Sequence, residues 1–313
     1  MSPLRRQHPS PSVVSVAVVS VVLLLSCVEN TALPPVDPAV IRVAAFSFTE
    51  SEILAELYSQ ALRADGYPTG GVMQAGPREL VQPALAEGLI DLVPEYAGSA
   101  LSFLTLGADE GSADVAETHE SLTRVLAPSG IVALEPAPAQ DSNAIAVTLE
   151  TAARFGLDDI SDLAPVAAQL VFGGPPECAN RRLCLIGLET VYGLRFREFI
   201  PLDSGGPLTL QALRSGGIDV ALMFTTDPAI VSERLVVLAD NRGLQPSENV
   251  TPLLRQEVLM THGDGVVRTL DAVSALLTTS DLRTMIGRVV GGRPARAVAT
   301  SWLQDHRSVM EAW

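Results

Sequence analysis

The chain contains no lysine. All 21 basic residues among its 313 are arginine, against 36 acidic ones, and the formal net charge is −15 at pH 7. Without an ammonium side chain there is no Schiff-base nucleophile, no phosphate-loop lysine and no acid–base step built on a tuned amine. Basic surface is scarce too, which argues against the counterion-displacing patches of a nucleic-acid-binding protein. Aromatic residues make up only 4%, so each one near a candidate site carries weight. The histidines, His8, His119, His262 and His306, are scattered, none at metal-ligand spacing, so no metal centre is expected. No G-x-G-x-x-G string opens a helix after a strand, so the dinucleotide fingerprint is absent and no cofactor is expected.

What is present begins with a leader. Arg5 and Arg6 precede an apolar run from Val13 to Leu25. That run is too short to span a bilayer but suits the h-region of a signal peptide. It ends in Leu24-Leu25-Ser26-Cys27, which resembles a bacterial lipobox. The resemblance implies cleavage after residue 26 and a diacylglycerol on the Cys27 thiol; an ordinary secretory signal with a coincidental cysteine is the alternative. Residues 27–39, rich in proline, read as an extended tether. The protein is therefore expected outside the cytoplasm, held at the cell membrane by its N-terminal lipid only.

Cysteine use agrees with that compartment. Cys178 and Cys184 lie six residues apart, most simply as a disulfide closing a small loop, with two free thiols as the alternative.

From residue 41 short apolar runs alternate with helical patterns. Residues 41–47, 71–75 and 89–93 read as strands. Between them lie a helix opening at Thr49 and stopping near Gly66, and another with Pro77 in its first turn and Gly88 at its end. The series restarts near Asn143, with strands over 144–148, 196–201 and 217–224, a helix over 208–215 and a helix entry at 159–163. Beyond Thr251 the pattern turns helical, over 266–277, 281–290 and 296–304. Repeated βα units indicate an α/β architecture with two lobes, and no residue-level repeat relates them.

Three segments adjoin strand ends, where open α/β sheets bind ligands: residues 95–99, 141–143 and 224–227. Tyr96 and Phe224 offer π-faces to a cation. A fourth string, Asp203-Ser204-Gly205-Gly206-Pro207, is similar to the nucleophile segment of chymotrypsin-type proteases. That family's histidine motif is missing and the βα pattern is wrong for a double barrel, so a turn leading into a helix is the simpler reading and no enzyme is expected.

Taken together, the motifs resemble the substrate-binding proteins of osmoprotectant (glycine betaine, choline, carnitine) ABC importers. The matching strings include Phe48-Thr49-Glu50, Asp91 to Ser99, Asp141-Ser142-Asn143-Ala144, Ile160 to Leu163, Tyr192-Gly193-Leu194, Gly217 to Val220, Thr225-Thr226-Asp227 and Leu238 to Asn241. They occur in family order across residues 41–255.

The resemblance implies a two-lobed type 2 periplasmic-binding-protein fold with a hinge of two crossovers, near residues 136–142 and 241–247. Lobe I would comprise 40–139 and 247–313, lobe II 140–246. Closure over a ligand would be read by the importer's permease. It implies a ligand site at Tyr96, Ser99, Asp141, Asn143, Phe224 and Glu248. Phe46 stands where relatives often carry lysine, and Arg181 or Arg182 is the candidate for holding a ligand carboxylate. Only Tyr96 keeps a tyrosine of the usual cage; Asn143, Phe224 and Glu248 stand at the other cage positions. With one tyrosine, one phenylalanine and two carboxylates, Asp141 and Glu248, the pocket suits a quaternary ammonium cation such as choline better than a betaine. Another small amine or amino-acid derivative, or a ligand-sensing role, are the alternatives.

Overall fold

The computed structural model describes residues 39–310, together with Asp37 but without Pro38. The signal peptide, Cys27 and nearly all of the tether lie outside the described residues.

The first α/β series comprises β1 (Ala44–Phe46), α1 (Thr49–Ala64), β2 (Met73–Gly76), α2 (Arg78–Ala86), β3 (Leu92–Tyr96), α3 (Ala97–Leu104), α4 (Val115–Leu126) and β4 (Ile131–Ala133). The second comprises β5 (Asn143–Thr148), α5 (Leu149–Phe155), β6 (Val171–Gly174), α6 (Leu185–Tyr192), β7 (Glu198–Pro201), α7 (Pro207–Ser215), β8 (Val220–Phe224), α8 (Ala229–Ser232) and β9 (Leu235–Leu238). The chain ends with β10 (Val250–Arg255), α9 (Gln256–His262), α10 (Gly265–Leu276), α11 (Thr279–Val290) and α12 (Ala295–Met310).

Two sheets of like order result. In lobe II the order is β7-β6-β8-β5-β9. In lobe I, β1 pairs with β2 and β3-β10-β4 form a second ladder, and a parallel bridge between Val43 and Leu92 joins the two. The fourth strand of each sheet, β10 or β5, runs antiparallel to both neighbours and arrives from the other lobe. This is the doubly crossed architecture of a type 2 binding protein.

The expectation of helix beyond Thr251 is corrected at β10. Its run Val-Thr-Pro-Leu-Leu is buried between β3 and β4, so it is apolar on both faces and shows neither helical nor strand periodicity. Pro252 pairs with Pro94, so both missing N–H donors fall at one rung of the ladder. The strand expected over 89–93 is shifted to 92–96. Asp91 explains the delay, because its carboxylate takes the Arg42 N–H at 2.8 Å and the Arg42 guanidinium at 2.7 and 2.5 Å, clipping the turn to β1.

The C-terminal helices pack on lobe I. Ile53, Leu57 and Tyr58 of α1 share a core with Leu270, Val273, Leu282 and Trp302. Each such side chain contributes ~1.5–3 kcal/mol on full burial. The Tyr58 hydroxyl meets the Ser274 hydroxyl inside this core at 3.0 Å. Arg283 of α11 also reaches across to lobe II, donating to the Thr225 carbonyl at 2.5 Å.

The chain passes between the lobes twice, after β4 and after β9. The two crossing segments zip together: Ala137 N–H donates to the Val250 carbonyl, Val250 N–H to Ala139, and Asp141 N–H to Glu248, at 2.8, 2.9 and 3.2 Å. The buried Asn249 side chain adds a bond to the Ala137 carbonyl.

Candidate ligand site

Glu95 and Tyr96 are the last two residues of β3, so α3 opens one residue later, at Ala97. Alternation along the strand sends their side chains to opposite faces. The fully buried Glu95 carboxylate accepts Arg78 Nε and Nη2 at 2.8 and 2.9 Å and Gln82 Nε2 at 2.8 Å. The Arg78 guanidinium lies over the Phe46 ring, 5.3 Å from its centroid. Phe46 stacks on Phe48 at 5.9 Å and Phe48 on Tyr96 at 6.2 Å, forming an aromatic row of which only Phe48 is exposed.

The Tyr96 hydroxyl donates to Glu50 Oε1 at 2.5 Å. Glu50 sits in the first turn of α1, buried and close enough to Asp141 to feel its charge. Burial first, then the Asp141 charge, pushes the Glu50 carboxyl up to about 7. Burial likewise raises Asp141 to about 6, against a hydrogen bond from Thr226 Oγ1 at 2.9 Å. Glu248 rises to about 7, again mainly through burial, although Ser99 donates both its N–H and its hydroxyl at 2.9 Å. Tyr96 is held well above its ordinary value by burial and the neighbouring carboxylates. Gly98 makes the Glu248 contact possible, since a Cβ there would lie 2.9 Å from the Ser247 carbonyl.

Of these groups Ser99, Asp141 and Glu248 line a cleft of about 520 Å³ between the lobes, within the usual size range of small-molecule sites. Of the residues expected at the site, Ser99, Asp141, Asn143, Arg181, Phe224 and Glu248 line it; Phe46 and Tyr96 do not, a correction, because both rings are buried in the body of lobe I. Phe224 is half exposed at the end of β8, opposite Asn143. Asn143 does not present its amide freely, because Nδ2 donates to the Leu183 carbonyl and to Gln245 Oε1. Arg181 and Arg182 both reach the cleft, each beside a glutamate: Glu177 at 3.7 Å for Arg181, and Glu110 of lobe I at 3.4 Å for Arg182.

Cys178 and Cys184 are disulfide-bonded, with Cα atoms 5.2 Å apart, and their loop forms much of the lobe II wall. The Asp203 string has a structural use. Its carboxylate accepts the Leu208 and Thr209 N–H groups and caps α7. Among the described residues no cluster of three or more His, Cys, Asp or Glu is placed to hold a metal ion.

Sequence reasoning did not single out Glu50, Glu110 or Gln245 for the candidate site, and it reached Thr226 only as part of the 224–227 segment. Glu50 had a signal: positions 50, 53, 54, 57 and 61 form one helical stripe, and an acid on an otherwise apolar stripe is out of place unless it is used.

Two α/β lobes flanking an acidic cleft define the class of extracytoplasmic-type solute-binding proteins. The chain belongs to the family described as the substrate binding domain of ABC-type glycine betaine transport systems, which matches residues 39–305. It is 27% identical over 296 residues to a glycine-betaine-binding protein of Pseudomonas aeruginosa, covering 91% of this chain and 93% of that one. It is 25% identical over 275 residues to the glycine betaine-binding protein YehZ of Escherichia coli, covering 85% and 90%. Among solved structures, a glycine betaine/carnitine/choline ABC transporter protein superposes with a TM-score of 0.78 at 24% identity, over 85% of this chain and 98% of that one. Apo YehZ gives 0.74 at 24% identity, over the same shares. At that identity the solved structures establish the fold.

Proposed function

We propose that this protein captures a quaternary ammonium cation in the interlobe cleft and delivers it to an ABC permease, anchored outside the cell membrane through lipid on Cys27. Curated relatives named for binding glycine betaine support the ligand class. The observation that carries the choice of a cation is the set Glu50, Asp141 and Glu248: among their hydrogen bonds to Tyr96, Thr226 and Ser99 none comes from an arginine. A desolvated cation held at Asp141 and Glu248, the two of these that line the cleft, restores the charge balance that burial removes. Both arginines at the cleft stand beside glutamates, which leaves a ligand carboxylate poorly matched. Closure pivots on the paired crossovers, with lobe I as 40–139 plus 247–313 and lobe II as 140–246.

Thermal shift against choline, glycine betaine and carnitine tests this reading. A ligand at about 100 times its Kd adds roughly 2.7 kcal/mol of stability, and choline is expected to give the largest shift at equal concentration. A protein that binds glycine betaine far more tightly than choline overturns the charge argument; one that no quaternary amine stabilises overturns the ligand class.

A further inference from the structure

Beside the main cleft lies a second chamber of about 260 Å³, lined by Arg78, Ser102, Phe103 and Pro246. Ser99, Glu110, Leu183 and Glu248 line both spaces, so Glu248 stands at their junction. A small cation such as choline engages Glu248 without needing the chamber. The geometry therefore points to a longer ligand: we infer that the physiological solute is an elongated quaternary ammonium compound whose tail occupies this side chamber. The inference rests on the cation reading above.

The lining sets the chemistry of the tail. Arg78, which lines the chamber, spends Nε and Nη2 on Glu95, so its charge is answered and Nη1 is left as its remaining donor. Glu110 and Glu248 face the same space, and Glu95 stands behind Arg78. A carboxylate tail would meet Glu110 and Glu248 with one already paired guanidinium, and the nearby Arg182 is itself beside Glu110, an unfavourable balance in a partly desolvated pocket. A neutral acceptor, such as an ester or amide carbonyl, meets the Arg78 donor and the Ser99 and Ser102 side chains at no such cost. Phe103 and Pro246 add apolar surface for a short alkyl group. The class that fits is an acylated choline or a similar cation with a neutral, hydrogen-bonding tail.

The test is calorimetric titration of the purified protein with choline, acetylcholine and carnitine, repeated on Ser102→Trp, which fills the chamber from α3. Acetylcholine is expected to bind at least about ten-fold tighter than choline to the unaltered protein. Ser102→Trp should abolish that advantage and leave the choline affinity within about two-fold. Choline binding by the variant also reports that it is folded. If acetylcholine binds no tighter than choline to the unaltered protein, the chamber proposal fails and the cation reading stands. Tighter binding of carnitine than acetylcholine overturns the neutral tail. If the advantage survives Ser102→Trp, the tail lies elsewhere. Should Ser102→Trp bind neither ligand, Phe103→Ala decides: it must weaken acetylcholine selectively, and equal loss of both ligands or of neither rejects the assignment. A protein that binds no quaternary amine at all fails the proposed function instead.

Discussion

Asp141 and Glu248 stand side by side on the two chain segments that join the lobes, the Asp141 N–H donating to the Glu248 carbonyl oxygen at 3.2 Å. Both side chains reach the cleft. Two of the carboxylates proposed to hold a cation therefore lie on the crossing segments, so the charge state of the site and the proposed closure of the lobes would act on the same few residues.

Ligand affinity should depend steeply on pH. Glu50 faces Asp141 and Tyr96, Asp141 faces Asp227, and Glu248 faces Arg78 and Glu95. Their carboxyl groups titrate at about 7, 6 and 7. A cation binds the ionised forms, so each group protonated beforehand costs up to about ten-fold per pH unit below its own value. Choline affinity measured by calorimetry is expected to fall by at least about ten-fold from about pH 8 to about pH 5.5, with proton release on binding in between. A flat profile would show that the carboxylates do not meet the ligand.

The ligand-free protein should respond in the opposite direction. All three carboxyls are raised above their ordinary values, so the folded state holds more protons than the unfolded state in this window. The stabilising contribution is full below the unfolded value near 4.5 for Glu and is lost as pH rises through about 7. The ligand-free melting temperature should therefore increase on going from about pH 8 to about pH 6. Saturating choline should flatten or reverse the trend. A ligand-free melting temperature that drops steadily over the same interval would contradict the burial cost assigned to these groups.

Glu248→Gln separates binding from folding. The amide keeps a carbonyl for the Ser99 N–H and an NH2 that the Ser99 hydroxyl can accept, while the charge is removed. Loss of a charge-assisted contact of ~1.5–3 kcal/mol corresponds to a fall in choline affinity of about ten-fold to 100-fold. Ligand-free stability should hold or increase, because the charge removed is a buried one that no arginine hydrogen-bonds, Arg78 being bonded to Glu95. Equal losses in affinity and stability would mean that Glu248 serves the fold alone.

The elements most legible in the sequence are those with a single buried face. Helix α1 is marked by its apolar stripe and α7 by Pro207 and Gly216 at its ends. Strand β10 was hidden because burial on both faces erases alternation. The kinship of the lobes was hidden for another reason. Asp91 before β3 accepts the Arg42 N–H beside β1, and Asp219 before β8 accepts the Val171 N–H of β6, the same clip at the matching place in each sheet. Around this clip the two copies share Leu80/Leu208, Ala84/Ala212, Leu85/Leu213, Gly88/Gly216, Ile90/Ile218 and Asp91/Asp219, six identities of common residue types in one helix-and-turn segment, which is easily passed over as a repeat. At the candidate site, motif resemblance pointed to Asp141, Ser99 and Glu248, which line the cleft, and to the segment that holds Thr226, whereas Glu110 and Gln245 enter only through contacts made across the cleft or the crossovers. Polar residues in loops give no periodic signal from which such contacts can be read.

The Cys178–Cys184 bridge is expected to hold the cleft as well as the fold. It closes the loop that carries Arg181, Arg182 and Leu183, and the Leu183 carbonyl accepts both Asn143 Nδ2 and Gln245 Nε2, tying that loop to β5 and to the second crossover. Helix α6 packs tightly behind it: a Cβ on Gly187 would lie 2.1 Å from the Arg182 carbonyl. The chain entropy of so short a loop amounts to about 2 kcal/mol, which is the stability loss expected for a Cys178→Ser, Cys184→Ser double variant in urea denaturation. Freed of its cross-link, the loop must also be ordered when ligand binds, so choline affinity should fall by about ten-fold for each 1.4 kcal/mol of that ordering cost. Titration of the double variant, at a urea concentration where it remains folded, distinguishes the two roles. Lower stability with unaltered choline affinity would confine the disulfide to the fold and remove it from the binding wall.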